Sequence, residues 1–453
     1  MSLIKICVDG EFYEVQEGSL LIDLLIKIQA KVPYFCYHEA LGADGNCRMC
    51  MVEIEGQKRP QIACDTPVKN GMVVHSQGEK LPIQKIRKDI LELELINHPV
   101  DCPVCDQAGE CSLQDYYMEY GLHNSQMYGL QKVTHKKHID LGSNVMLDQE
   151  RCVLCARCTR FTDKITHTHE LGIVGRGDKA HISTMPNKKL TNPYAMNVVD
   201  LCPVGALTSK DFRFSQRVWF LESIESVCMS CAKNCSIYID HNKLKYQDEK
   251  IYRFRPRKNL EVNGFFICDE GRLSYKNLLE NPAKNTFSEN AKEVFHHSIA
   301  KANKIAVLID ASLFNEEIEM ILNFCKKINA QAYCPEHLYI DPSFEDDFLR
   351  SKYKVANIKT IQKFRIKNDM PKSFDLLLNF NHPASLDLQS PNIISFQTHN
   401  SDLQTLLTLP IATYVQNSGS VTNIDGITQY VPKALFSNDP TPTLKEWFKR
   451  LCL

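Results

Sequence analysis

The sequence has no excess of either charge: 53 Lys and Arg stand against 54 Asp and Glu, leaving a net charge of −1 over 453 residues. That removes the electrostatic basis for holding nucleic acid or an anionic membrane surface. Long apolar runs are also missing. The longest, such as Leu20–Ile28, is broken by Asp23 and Lys27, and none approaches the roughly 18 residues of a membrane-spanning helix, so no direct membrane insertion is expected. The opening MSLIKICVDGEFYEV begins as a strand pattern without an apolar core behind a basic leader. Export is therefore not expected, and a cytoplasmic location is. No G-x-G-x-x-G follows a strand, since Gly172, Gly175 and Gly177 have the wrong spacing, and neither a Walker loop nor H-E-x-x-H occurs. The chain is expected to carry no nucleotide or flavin site of its own.

What the sequence does have is cysteine. Of nineteen, fifteen fall between Cys36 and Cys268, and the rest of the chain holds only Cys7, Cys325, Cys334 and Cys452, which read as isolated buried small hydrophobes. In a reducing compartment, clustered cysteines point to metal or catalysis rather than disulfides. The fifteen sort without remainder into Cys36, Cys47, Cys50 and Cys64; Cys102, Cys105 and Cys111; Cys152, Cys155, Cys158 and Cys202; and Cys228, Cys231, Cys235 and Cys268. Redox-active centres with little other visible chemistry are most simply a wire for electrons.

With 43% hydrophobic and 24% charged residues the chain reads as a globular protein of about three to five domains. The expected fold class is α+β multidomain. Residues 3–16 alternate around Asp9-Gly10 as a hairpin, Ser19 is placed to cap a helix over Leu20–Ile28, and MCMVEIEG reads as a further strand. Hairpin, helix and cysteine loop fit a β-grasp ferredoxin domain over 1–78. Residues 81–97 read as an amphipathic helix with Ile83, Ile86, Ile90 and Leu93 on one stripe, ended by Pro99, and a helical segment surrounds Gln114–Tyr120. These place a helical domain over 79–145, followed by cysteine-bearing domains over 146–218 and 219–280. Over 281–453, Lys304–Asp310 and Gln331–Cys334 read as strands around a helix at Phe314–Ile328, and Phe374–Phe380 as another strand: an open α/β sheet.

The first group spaces as C-x10-C-x2-C-x13-C, a plant-type [2Fe–2S] loop with a longer first gap; a four-cysteine zinc site is the plain alternative. The second offers three cysteines in HPVDCPVCDQAGEC, so a [4Fe–4S] cluster needs a fourth ligand, and His98 is placed to give it. A neutral imidazole in place of a thiolate makes the cluster less negative and raises its potential. The third, RCVLCARC with DLCPVGAL, resembles bacterial ferredoxin loops, with Cys202 closing its own cluster. The fourth, C-x2-C-x3-C-x32-C, resembles the amino-terminal [4Fe–4S] site of molybdopterin oxidoreductases, with a zinc ribbon as the alternative.

The order of these groups, with HPVDCPVCDQAGECSLQDY and DQERCVLCARCTRF as near-continuous motifs, resembles one family: the large peripheral-arm iron–sulfur subunits of bacterial NADH:quinone oxidoreductase, respiratory complex I. The resemblance covers residues 1–280. It implies one [2Fe–2S] cluster on Cys36, Cys47, Cys50 and Cys64, and [4Fe–4S] clusters on His98, Cys102, Cys105 and Cys111 and on Cys152, Cys155, Cys158 and Cys202. Cys228, Cys231, Cys235 and Cys268 match an extra [4Fe–4S] cluster that only some members keep. It also implies a flavoprotein and other peripheral-arm subunits as partners, a membrane arm reached only through them, a place on the cytoplasmic face of the inner membrane, and no catalytic residue on this chain. Residues 281–453 depart from the family as a shortened molybdopterin-oxidoreductase-like α/β domain, in which Thr408–Gln429 still resembles a late segment; no molybdopterin is expected. The electron-input subunit of a formate dehydrogenase or hydrogenase is the other reading. Against it, cysteines after Cys268 are isolated, and Glu270 stands where a molybdenum enzyme typically has lysine.

Overall fold

The computed structural model describes residues 2–121, 129, 131–246, 248–283, 291–371, 373–383, 392–401, 403–437 and 440–453. It divides into two compact units, Met1–Trp219 and Phe220–Leu453.

The first unit opens with β1 (Leu3–Val8) and β2 (Glu11–Gln16), an antiparallel pair. Asp9 and Gly10 turn it with φ of 50° and 90°, the left-handed pair that matches strand twist in a two-residue hairpin. Helix α1 (Leu21–Lys27) buries Leu21, Ile22, Leu24 and Leu25 against a five-stranded sheet of order β2-β1-β5-β3-β4, completed by β3 (Met51–Ile54), β4 (Gln61–Ile62) and β5 (Val73–His75). Ser19 does not cap α1. The N-cap is Leu20, and the Ser19 hydroxyl donates instead to Gln16 O at 2.7 Å.

Helix α2 (Ile83–Leu95) is shorter than the pattern over 81–97, and its buried stripe is rotated. Ile83, Arg87, Leu91 and Glu92 are buried while Leu93 is 59% exposed. Arg87 takes a core position because its two terminal nitrogens donate to Met51 O at 2.9 Å, Ser76 O at 2.7 Å, Gln77 Oε1 at 3.2 Å and Lys31 O at 3.3 Å. Helix α3 (Ser112–Tyr120) follows the second cysteine group. Beyond it come β6 (Ile139–Gly142), β7 (Val145–Leu147), α4 (Arg157–Lys164), the β8–β9 pair (Leu171–Val174, His181–Thr184), α5 (Asn197–Leu201) and β10 (Leu207–Ser209). Strands β10, β7 and β6 form one antiparallel sheet behind the third cysteine group.

The second unit begins with the antiparallel sheet β11 (Leu221–Val227), β12 (Ser236–Asn242) and β13 (Ile251–Pro256), followed by α6 (Asp269–Leu273) and α7 (Ala291–Lys301). Its larger part is a five-stranded, wholly parallel sheet of order β15-β14-β16-β17-β18. The strands are β14 (Ile305–Ile309), β15 (Gln331–Tyr333), β16 (Leu376–Phe380), β17 (Ile393–Gln397) and β18 (Leu407–Pro410). Helices α8 (Asn315–Lys327), α9 (Ile358–Lys363) and α10 (Leu444–Leu451) cover it, and the hairpin β19 (Gly419–Thr422)–β20 (Thr428–Val431) packs beside α8. Both faces of β14, β16, β17 and β18 are covered, so these strands are mostly apolar without alternation, with Asn379, Ser395, Gln397 and Thr408 as buried polar exceptions. Phe380 and Phe396 stack at 4.7 Å beneath Phe448 of α10, and Trp447 of the same helix donates to Pro410 O at 2.6 Å.

Cys7, Cys325 and Cys334 are buried as small hydrophobes, whereas Cys452 is exposed, with Lys292 Nζ 3.0 Å from its sulfur. Among the described residues no helix is long and apolar enough to cross a membrane.

Candidate metal centres

In the first group, the loop between α1 and β3 brings Cys36, Cys47 and Cys50 to Cys64, and all four are buried. Gly42 and Gly45 turn that loop with φ of 72° and 74°. The Cys36 sulfur interacts with those of Cys47 and Cys64, and Cys50 with Cys64. Hydrogen bonding from Cys47 and Cys64 holds the Cys36 thiol far below its usual range, and that from Cys64 lowers Cys50; the same contacts push Cys47 and Cys64 up. Four thiols that must share protons in this way can be ionised together only by a strong positive charge among them. Iron supplies that.

In the second group, Cys105 and Cys111 are buried and Cys102 half-buried. Burial pushes the Cys111 thiol up to about 11. His98 lies three residues beyond α2, and Lys132 Nζ fixes that turn by donating to Leu95 O, Ile96 O and His98 O at 2.7–2.9 Å. Burial pushes the imidazole down to about 4, so it is neutral, the form a metal ligand needs. Its Nδ1 is buried with no hydrogen-bond partner. An orphaned ring nitrogen in the turn that leads into three thiols is the fit expected of a fourth ligand. Gly205 closes the back of this site: a Cβ there would stand 2.3 Å from Cys105 Sγ.

The third group wraps tightly because Leu154 and Ala156 take left-handed φ of 47° and 58° between the cysteines. Cys152, Cys155, Cys158 and Cys202 line a cavity of about 20 Å³ whose other walls include Leu147, Val153, Ile182, Val204 and Leu207. Burial pushes the Cys155 thiol up to about 12 and raises the other three as well.

The fourth group lies wholly in the second unit. Cys228, Cys231, Cys235 and Cys268 are buried together; burial pushes Cys228 up to about 11 and raises the rest. A Cβ on Gly271 would stand 2.9 Å from Cys228 Sγ and 3.2 Å from Cys268 Sγ, so a glycine is required beside this site too.

A tetrahedral zinc with bonds of about 2.3 Å would hold its sulfurs about 3.8 Å apart. Among the described residues, no three of these cysteines have sulfurs all within 4.8 Å of one another; the one metal-sized group at that spacing is Glu55, His75 and Glu79 on the surface.

Space does not follow chain order in the first unit. Asn46, in the first cysteine loop, donates to Leu154 O at 2.9 Å. On the other side, Ser112 donates its backbone N–H to Pro203 O at 2.9 Å, and Gly205 abuts Cys105. The third group therefore adjoins both the first and the second. The sequence reading missed the buried Arg151, Arg157 and Arg160 and the half-buried Arg217 around these sites. Arg157 donates to Leu201 O at 3.1 Å, Arg217 to Cys105 O at 2.6 Å, Arg151 pairs with Asp101, and Arg160 reaches Cys36 O. Each meets a residue at or next to one of the grouped cysteines, and for Arg151, Arg157 and Arg160 the run R-C-V-L-C-A-R-C-T-R was the available signal.

These features define a ferredoxin-type iron–sulfur protein, and family models match three stretches of it, which hold the first three cysteine groups. A 2Fe-2S iron-sulfur cluster binding domain matches residues 2–79, an NADH-ubiquinone oxidoreductase-G iron-sulfur binding region matches 87–126, and an NADH-quinone oxidoreductase ferredoxin-like domain matches 142–208. The chain is homologous to the G-type iron–sulfur subunits of NADH-quinone oxidoreductase. It is 34% identical to that protein of Rickettsia felis over 73% of this chain and 50% of the relative. It is 39% identical to the NADH-ubiquinone oxidoreductase 75 kDa subunit of Reclinomonas americana over 62% of this chain and 40% of the relative. The chain thus spans about half or less of the length of these relatives. A solved chain of an NAD+-reducing [NiFe]-hydrogenase aligns over 48% of this chain and 91% of its own, at 27% identity and a TM-score of 0.40.

Proposed function

We propose that this chain is an electron-relay subunit of a complex I-like NADH:quinone oxidoreductase. Cys36, Cys47, Cys50 and Cys64 would hold a [2Fe–2S] cluster. His98 with Cys102, Cys105 and Cys111, then Cys152, Cys155, Cys158 and Cys202, and Cys228, Cys231, Cys235 and Cys268 would each hold a [4Fe–4S] cluster. Such clusters supply one-electron sites, letting the chain pass electrons singly from a flavoprotein partner that oxidises NADH toward a further iron–sulfur partner and quinone, a transfer the whole complex couples to proton translocation. The chain's own residues do no bond chemistry. They fix the ligands, exclude water and set the charge around each site.

The observation that carries this reading is the packing of the third cysteine group against both the first and the second within one unit. The relay order it supports is first, third, second. The domain boundaries proposed are 1–78, 79–145, 146–218, 219–280 and 281–453, and the place of the chain is the cytoplasmic face of the membrane, through its partners. The last domain reads as a shortened, catalytically empty molybdopterin-oxidoreductase-like fold. A cavity of about 450 Å³ at the carboxyl ends of its parallel strands is lined, among the described residues, by Asp310, Glu317, His382 and His399 and by no lysine or arginine, a lining poor in the fixed cations that the phosphates of a pterin nucleotide would want.

The test is anaerobic purification of the chain with whatever binds it, followed by NADH and rapid freezing for EPR. Reduced cluster signals with a flavoprotein present support the reading. Clusters that stay oxidised with NADH but reduce with ferredoxin or hydrogen would replace the donor named here.

A further inference from the structure

We propose that Arg151 and Arg160 are positioning residues that hold the third cysteine group between its two neighbours and set how readily the adjoining clusters accept an electron. This rests on the reading above that the cysteines carry clusters.

Arg151 immediately precedes Cys152, and Asp101 immediately precedes Cys102. Their side chains meet as a fork, Nε to Oδ1 at 3.1 Å and Nη2 to Oδ2 at 2.7 Å, with Arg151 only 5% exposed. Lys137 Nζ lies 3.5 Å from Asp101 and 2.8 Å from Glu150, and Asp148 lies 3.5 Å from Arg151, so the pair is the centre of a closed charge network. It ties the second loop to the third one residue from a ligand on each side.

Arg160 makes the equivalent tie on the other side. It stands two residues after Cys158 on α4 and is 8% exposed. Its Nη2 donates to the carbonyl of Cys36 itself, and its Nη1 donates to Gly42 O at 2.8 Å and Leu41 O at 3.3 Å. Asp44 lies 3.8 Å from Nε.

Stability alone is a weak reason for such contacts. A buried ion pair gains little over well-packed apolar residues, because desolvation offsets the Coulomb attraction. Location is the stronger clue, since both arginines join two different ligand loops. A cluster becomes more negative on reduction, and a poorly screened guanidinium beside it stabilises that added charge. Removing Arg151 makes the charge around these sites one unit more negative and removing Asp101 makes it one unit more positive, so the two changes have opposite signs. Loss of packing has no such sign.

The test is EPR-monitored redox titration of the full chain, with iron content measured alongside. Arg151→Gln should make reduction of the second and third clusters at least threefold harder, and Asp101→Asn at least threefold easier; tenfold corresponds to about 59 mV for one electron. Arg160→Gln should make the first and third harder to reduce. Arg160→Lys keeps the charge but cannot span the same carbonyls, so it should keep the potentials while weakening magnetic coupling between those two signals. Shifts of the same direction in Arg151→Gln and Asp101→Asn, or unchanged potentials at full iron content, overturn the proposal alone. A wild-type chain with no reducible signals overturns the cluster reading and this proposal with it.

Discussion

Replacing Gly205 with alanine isolates one steric contact at one site. The new Cβ would stand 2.3 Å from Cys105 Sγ and 3.1 Å from Gln107 Cβ. Ordinary non-bonded contacts between carbons lie at about 3.5–4.0 Å, so the sulfur must retreat by more than about 1 Å. A metal–ligand bond tolerates about 0.2 Å. Gly205 has a φ outside the left-handed region, so alanine costs nothing in the backbone and the effect is purely the clash. The second cluster should therefore be lost or unable to form. On the proposed assignment of one two-iron and three four-iron clusters, the intact chain would hold about fourteen irons, and Gly205→Ala should hold about ten. Gly172→Ala is the control, since its nearest neighbour would be Met185 Sδ at 4.0 Å. Iron and sulfide analysis with low-temperature EPR reads the result. A Gly205→Ala chain with full iron and the wild-type spectrum would refute the placement of Cys105 as a ligand.

Other outcomes follow from the same geometry. His98→Cys replaces a neutral ligand by a thiolate and should lower the potential of that cluster in a redox titration; a potential that does not fall removes His98 from the ligand set. Arg87→Ala strands the Met51 and Ser76 carbonyls in the core and should destabilise the first unit by about 2–5 kcal/mol, measured by denaturant unfolding; a loss under about 1 kcal/mol would contradict the burial argument. Burial pushes the Glu317 carboxyl up to about 7, above the roughly 4.3 of an unfolded chain. The folded state thus keeps that proton longer, so its contribution is full below about pH 4.3 and is lost as pH rises through about 7, by about 4 kcal/mol at most. Hydrogen exchange over α8, corrected for intrinsic rates, should show protection falling between pH 5 and 8, and Glu317→Gln should flatten the trend.

The elements most legible in the sequence were those fixed by local chemistry. Asp9-Gly10 set the hairpin because both positions need left-handed backbone, and the apolar runs at Lys304–Asp310 and Phe374–Phe380 became β14 and β16 because a doubly covered parallel sheet wants no alternation. The cysteine groups were legible because short spacings leave few geometries for a metal. His98 stood out only because its group lacked a fourth ligand. Long-range satisfaction was not legible. Periodicity put Leu93 on the buried stripe of α2, but Arg87 could be buried there because four acceptors from distant loops satisfied its two terminal nitrogens. Ser19 had the right chemistry for a cap, yet the chain turned one residue late and its hydroxyl found Gln16 O. The packing of the third group against both others rests on contacts more than 90 residues apart in the chain, such as Asn46 with Leu154 and Gly205 with Cys105. Chain order carries no information about them.

On the reading proposed above, sixteen side chains hold four redox-active clusters rather than structural zinc. Metal and acid-labile sulfide analysis of the anaerobically purified chain, with EPR before and after dithionite, tests it most directly. The account predicts about fourteen irons per chain, a matching content of sulfide and several reducible signals. Stoichiometric zinc, no sulfide and no EPR signal after reduction would contradict it.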